Sequence, residues 1–378
     1  MKFLKWLGYI LLTIIIAVNA IILISGKLYI YKAIANTYFK GRSGPGIDEY
    51  HIFSNRIVKT GTPKPWPISK DYNKKSISKE YLDQIEKYQT EAFLIIKNDS
   101  ITFEQYWDGY SDTSHTNSFS MAKSVVSILT GVALQEGKIK SIDQHVYDFI
   151  PQFKNGMDSL LTIKDLLTMS SGMSYEESYT SPFAYPAEAY YGDNIIENTL
   201  KYKVVAEPGK KFIYQSGNST LLGYILTLAT GEKLSDYASE KLWQPLGAEH
   251  PAYWSTDHDG GMEKAYCCFN SNARDFARFG QLYLDSGKWG EKQLVPKDYV
   301  LASMKPALSE HYGYNWWILN CDGHNVPYCR GILGQYIFVI PDKNMVVVRL
   351  GKKRGPVNDN VPSDALIYLK AAFEISKQ

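Results

Sequence analysis

The chain has 378 residues, enough for one large or two ordinary domains around a substantial core. Hydrophobic residues make up 45% and charged residues 21%, which excludes wholesale disorder, and 41 Lys and Arg against 39 Asp and Glu leave +2, no electrostatic footprint for nucleic acid. Four cysteines are too few for a disulfide scaffold, and without a CxxC pair or an HExxH sequence no metal site or organic cofactor is implied.

The chain opens on Trp6–Ser25, WLGYILLTIIIAVNAIILIS, uncharged and almost continuously apolar. About 20 residues rising 1.5 Å each cross a hydrocarbon layer of ~30 Å. A cleaved signal peptide has a shorter apolar run of ~7–15 residues and a small-residue cleavage site, so residues 1–30 read as an uncleaved membrane anchor ahead of a signal segment. Lys2 and Lys5 on one side and Lys27, Lys32, Lys40 and Arg42 on the other leave its orientation open. Residues 31–84 read as a stalk and lead-in, with GRSGPG at 41–46, TGTPKPWP at 60–67 and a charged stretch after them.

The region 85–378 has regular texture. AFLIIKND (92–99) and SITFEQYW (100–107) predict two strands joined at Asn98-Asp99. A helical part follows, about 118–305, broken by loops rich in Tyr, Pro and Gly. Strands return in YGYNWWIL (312–319), QYIFVI (335–340) and MVVVRL (345–350), and a helix over about 363–376 closes the chain. Sheet parts at 85–117 and 306–378 with helices between predict an α+β fold, an antiparallel sheet flanked by helices and carrying an inserted helical domain.

Three stretches carry chemistry. Ser120-Met121-Ala122-Lys123 sits at the start of a predicted helix capped by Asn117 or Ser118, with Met121, Val125, Ile128, Leu129 and Val132 as its apolar stripe. Ser120 and Lys123 lie three apart and so neighbour each other. A serine hydroxyl needs a base to become a nucleophile, a desolvated lysine can supply one, and the helix amino end favours developing negative charge. A second copy, Ser76-Ile77-Ser78-Lys79, lies in the charged lead-in with no apolar helix behind it and reads as a decoy. In EPGKKFIYQSGNSTLLGYIL, Tyr214 and Ser216 sit two apart on a turn before a helix over 221–228, where a phenol can relay a proton. In Arg330-Gly331-Ile332-Leu333-Gly334-Gln335, the glycines allow close backbone approach at a sheet edge, where an N–H can serve an oxyanion. A GxSxG elbow is absent, which disfavours an α/β-hydrolase.

In order and spacing these stretches resemble the serine hydrolases of the β-lactamase-related family, which includes class C β-lactamases, penicillin-binding DD-peptidases, esterases and 6-aminohexanoate-dimer hydrolases. LTIKDLLTMSSGMSYEE (161–177) and NARDFARFGQLYL (272–284) resemble further segments of that family, and the likeness covers about 85–375. The resemblance implies Ser120 as nucleophile, Lys123 as its base partner and Tyr214 as a second proton-handling group. It implies an oxyanion hole from the N–H groups of Ser120 and Ile332, with Ser216, Tyr179 and Gly331 at the substrate. Which of Lys123 and Tyr214 is the general base stays open. Arg330-Gly331-Ile332 replaces the Lys-Thr-Gly or His-x-Gly of β-lactamases and DD-peptidases, and Ser216 replaces the Asn of Tyr-x-Asn. Both favour an ester or small amide as substrate, through an acyl-enzyme. The alternatives are a β-lactamase or DD-peptidase-type enzyme and, from another class, a non-catalytic membrane-anchored binding protein. Family habit implies a catalytic domain outside the cytoplasm, where Cys321–Cys329 is the most local of the three ways to pair four cysteines.

Overall fold

A computed structural model describes residues 2–377. The first strand, β1 (Asn55–Val58), belongs to the lead-in. The predicted pair follows as β2 (Thr90–Lys97) and β3 (Ser100–Tyr106), and Asn98 and Asp99 both take the positive φ that a two-residue hairpin turn requires. Then come β4 (Thr116–Asn117), β5 (Ala252–Ser255), β6 (Phe269–Ser271) and a small hairpin of β7 (Lys288–Trp289) with β8 (Lys292–Gln293). β9 (Trp317–Cys321), β10 (His324–Gly331), β11 (Gln335–Ile340) and β12 (Met345–Gly351) follow, and a two-residue hairpin of β13 (Val357–Asn358) with β14 (Val361–Pro362) precedes the closing helix.

The main sheet is antiparallel and six-stranded, in the order β3-β2-β12-β11-β10-β9. Both faces are covered, which is why its inner strands read as continuous apolar runs rather than alternating ones. In β12, Val346 and Val348 face the core shared with helices Met121–Gln135 and Ala273–Leu284. Met345 and Val347 face the opposite core, shared with the closing helix Ser363–Ser376. Helix Ala273–Leu284 approaches closely at Gly280, where a Cβ would stand 2.6 Å from a Val346 methyl.

Four sequence expectations give way. Residues 118–305 are not purely helical: β5 and β6 join β1 and β4 in a second sheet of order β1-β5-β6-β4. The lead-in is not a free stalk, because β1 pairs with β5 and Ile47, Phe53, Val58 and Trp66 are buried in the core. The strand expected from 312 begins only at Trp317, since Asn315 takes a left-handed turn and its N–H donates to Leu167 O at 2.9 Å. Finally, Cys321 and Cys329 do not pair. Cys321 lies opposite His324, and five further residues along β10 put Cys329 on the other face of the sheet. Both are buried free thiols, and the disulfide joins Cys267 to Cys268.

The amino-terminal helix, Lys2–Ile24, is long and apolar enough to cross a membrane, and of its 23 residues only Ile22 is buried. It is a signal sequence or a membrane anchor. A short helix, Tyr29–Asn36, follows it and packs on helix Tyr185–Tyr191. Tyr29 donates its hydroxyl proton to Pro182 O at 3.0 Å, and Lys27 lies 3.8 Å from Glu188.

Candidate active site

The site starts from a bend after β4. Phe119 adopts a left-handed φ of 45°, unusual for a bulky residue, and its N–H donates to Asn117 Oδ1 at 2.8 Å. Ser118 is fixed to Phe269 in both directions, N–H to carbonyl at 3.0 Å and hydroxyl from N–H at 3.2 Å. The bend places Ser120, rather than Asn117 or Ser118, in the capping position of helix Met121–Gln135, and the Ser120 hydroxyl makes no capping bond. Instead Lys123 Nζ donates to Ser120 Oγ at 2.9 Å. Lys123 is only 1% exposed; it also donates to Tyr266 O at 3.0 Å and lies 5.1 Å from the Tyr214 ring and 5.4 Å from the Tyr266 ring. The other S-x-x-K differs in every respect. Ser76 and Lys79 are exposed, and Lys79 opens a short amphipathic helix, Lys79–Lys87, that the charge density had hidden.

Tyr214 is delivered by a loop docked on the LLTMSSG segment. Ile213 N–H donates to Met169 O at 2.8 Å, and Gln215 Nε2 donates to the carbonyls of Met173 (3.0 Å) and Tyr175 (2.7 Å). Gly172 is required there, because its φ is +65° and a Cβ would lie 2.0 Å from Ala206 O. The Tyr214 ring packs against Trp317 and Tyr312, at 5.3 and 6.0 Å between centroids, and the Arg330 guanidinium lies over the Trp317 ring at 3.3 Å. Helix Ser216–Thr230 starts five residues earlier than predicted. Its first N–H and hydroxyl both donate to Glu177, at 2.7 and 2.6 Å, and Tyr179 donates to the same carboxylate at 2.7 Å. Ser216 and Tyr179 are therefore joined through Glu177.

The third stretch runs past the end of its neighbour. β9 pairs with β10 only as far as Tyr328, so Cys329–Gly331 form a locally open edge in what is otherwise an interior strand. Gly331 is buried against the bend before Ser120, and a Cβ on it would stand 2.3 Å from Ser118 O. The glycine thus admits backbone. Expected at the substrate, it lies behind the site wall. The following turn has Leu333 at a φ of 61° and is held by Arg349, which donates to Leu333 O (2.7 Å) and Gly334 O (2.6 Å). Arg349 is fully buried, its charge answered by carbonyls and by nearby Asp364.

Ser120, Ile332 and Tyr179 stand together on the walls of two adjoining cavities. One, of about 780 Å³, is the more polar of the two and is also lined by Tyr214, Arg330, Lys352 and Arg354. The other, of about 500 Å³, is apolar and takes in Ser216. Lys123 lies buried behind Ser120. Ser120, Lys123, Tyr214, Ser216, Tyr179 and Ile332 thus converge from distant segments. Sequence reasoning missed Glu177, the Tyr266 carbonyl and Arg349. The signal for Glu177 was present, a carboxylate beside Tyr179 in YEESY. Among the described residues no cluster of His, Cys, Asp or Glu is suited to a metal.

Helices packed on an antiparallel sheet, with a helix-end serine held by a buried lysine, define the β-lactamase/DD-peptidase fold and a serine hydrolase of that class. The profile of the Beta-lactamase family matches residues 81–372, and the chain belongs to that family. A 6-aminohexanoate-dimer hydrolase from Paenarthrobacter ureafaciens is 24% identical over 297 residues, 72% of this chain and 75% of that protein. An Escherichia coli (strain K12) protein named for D-alanyl-D-alanine carboxypeptidase is 26% identical over 190 residues, 44% of this chain and 43% of its own length. Among solved structures, a Bacillus anthracis protein named for 6-aminohexanoate-dimer hydrolase superposes with a TM-score of 0.73 at 22% identity, covering 85% of this chain and 90% of that one. EstCE1, a hydrolase with promiscuous acyltransferase activity, gives 0.62 at 16%, covering 78% and 97%.

Proposed function

We propose that the protein is a membrane-anchored serine hydrolase, its catalytic domain outside the cytoplasm, that cleaves an ester or small amide through an acyl-enzyme on Ser120. Ser120 Oγ attacks the carbonyl carbon while its proton passes to Lys123 or Tyr214. The N–H groups of Ser120 and Ile332 receive the oxyanion, and that of Ser120 belongs to a helix end whose first amides have no partner within the helix. The bond to the leaving group breaks, the leaving group takes the relayed proton, and water attacks the acyl-enzyme to release the acid. Tyr179, Ser216 and Glu177 form one wall of the substrate space.

The observation carrying this reading is the 2.9 Å bond from a buried Lys123 to a serine hydroxyl with no other role. A binding protein has no need to bury an amine against a hydroxyl. The kinship with a 6-aminohexanoate-dimer hydrolase supports the small-amide and ester branch. So does Arg330, which packs on Trp317 where β-lactam enzymes carry a short Lys-Thr-Gly. Labelling with a fluorophosphonate tests the proposal: the parent protein should be modified at Ser120 and Ser120→Ala should not. Equal labelling of both would overturn the assignment. Rapid nitrocefin hydrolysis would move the substrate class to β-lactams.

A further inference from the structure

The two cavities differ in character, and Ser120 lies on their common boundary. The apolar one is built in part by the amino-terminal segment: Val18, Ile21 and Ile22 from the end of helix Lys2–Ile24, Ile30 and Ile34 from the next helix, with Phe183 on the body of the protein. The segment is fastened there by the Tyr29–Pro182 hydrogen bond and the Lys27–Glu188 pair. The rest of helix Lys2–Ile24 presents bare aliphatic and aromatic side chains on all sides, a surface suited to lipid. The apolar cavity therefore lies where such a helix would leave the membrane, and the polar cavity lies on the other side of Ser120. Its wall carries Arg42, Arg330, Lys352 and Arg354 with Asp48; Arg42 is paired with Glu49 and Lys352 with Glu91, so Arg330 and Arg354 supply its positive character.

We infer that the acyl group transferred to Ser120 is a long aliphatic chain of a membrane amphiphile, drawn into the apolar cavity beside the anchor while its polar head occupies the cationic chamber. The inference rests on the serine hydrolase reading and names its substrate class. An amphiphile has the matching polarity: its ester carbonyl joins an aliphatic tail to a polar head, and Ser120 joins an apolar space to a polar one. Attack by Ser120 Oγ breaks the ester C–O bond, the head leaves as an alcohol carrying the serine's proton, and water then releases the fatty acid.

The full chain in detergent micelles should be assayed on p-nitrophenyl acetate, butanoate, octanoate and dodecanoate. While added methylenes still enter the cavity, each should raise kcat/KM about fourfold. Ala33→Trp and Ala187→Trp, which fill the apolar cavity, should each lower the dodecanoate-to-acetate ratio at least tenfold, with labelling of Ser120 by a fluorophosphonate confirming a folded site. A parent protein that labels at Ser120 but prefers acetate, or a ratio that neither tryptophan moves, would overturn the long-chain inference alone. No turnover of any ester together with no labelling would overturn the hydrolase reading and this inference with it.

Discussion

At Lys123 a buried amine is set 2.9 Å from a hydroxyl. Lys123→Met should slow fluorophosphonate labelling about 10²–10⁴-fold, the usual loss for a proton-transferring group, without lowering the melting temperature. Tyr214→Phe should lower ester turnover within the same range. A second buried lysine makes a different prediction. Lys264 is fully enclosed, donates to Tyr190 O at 2.9 Å and lies 3.9 Å from the Phe53 ring centre. Burial, helped by the nearby Lys32 charge and opposed by Asp257 and Asp193, holds its pKa down at about 7. The unfolded chain keeps that proton up to about 10.5, so between these values the unfolded state binds more protons and stability falls as pH falls. Lys264→Met removes that dependence. Relative to the parent it should gain roughly 2–3 kcal/mol between pH 9 and pH 7 and nothing more below, measured by denaturant unfolding. The serine–lysine pair was legible because three residues of helix suffice to join it. Glu177 reaches Ser216 across 39 positions and Arg349 reaches Leu333 across 16, and no local pattern announces either.

Among the elements, the main sheet was readable from its apolar runs, while the second sheet was not. Its strands have two to four residues, too short for a period, and β1 finds β5 only across some two hundred positions. The cysteines teach the same lesson: nearness in sequence suggested a bridge that strand alternation forbids. Burial pushes the Cys321 thiol up to about 11 and Cys329 up to about 12. Ellman's reagent should therefore find no reactive thiol in the native protein and two after unfolding. Seating of helix Ala273–Leu284 depends on Gly280, so Gly280→Ala should cost about 1–3 kcal/mol through overpacking against Val346 and Ile337, seen as a lower denaturant midpoint.

On the scale of the whole molecule, the family match begins at residue 81, but the folded body begins earlier. Removing residues 1–25 should leave a water-soluble protein with little change in melting temperature, because among the described residues Ile22 is the one buried side chain lost. Removing residues 1–80 strips β1 from β5 and takes Ile47, Phe53, Val58 and Trp66 out of the core. That shorter form should fail to unfold cooperatively when followed by circular dichroism. The strand order carries one more consequence. β2 lies between β3 and β12, so a hairpin made near residue 100 waits for a partner synthesised some 250 positions later. Until residues 345–351 have emerged, that hairpin keeps an unsatisfied edge, which makes the nascent chain a natural client for chaperones.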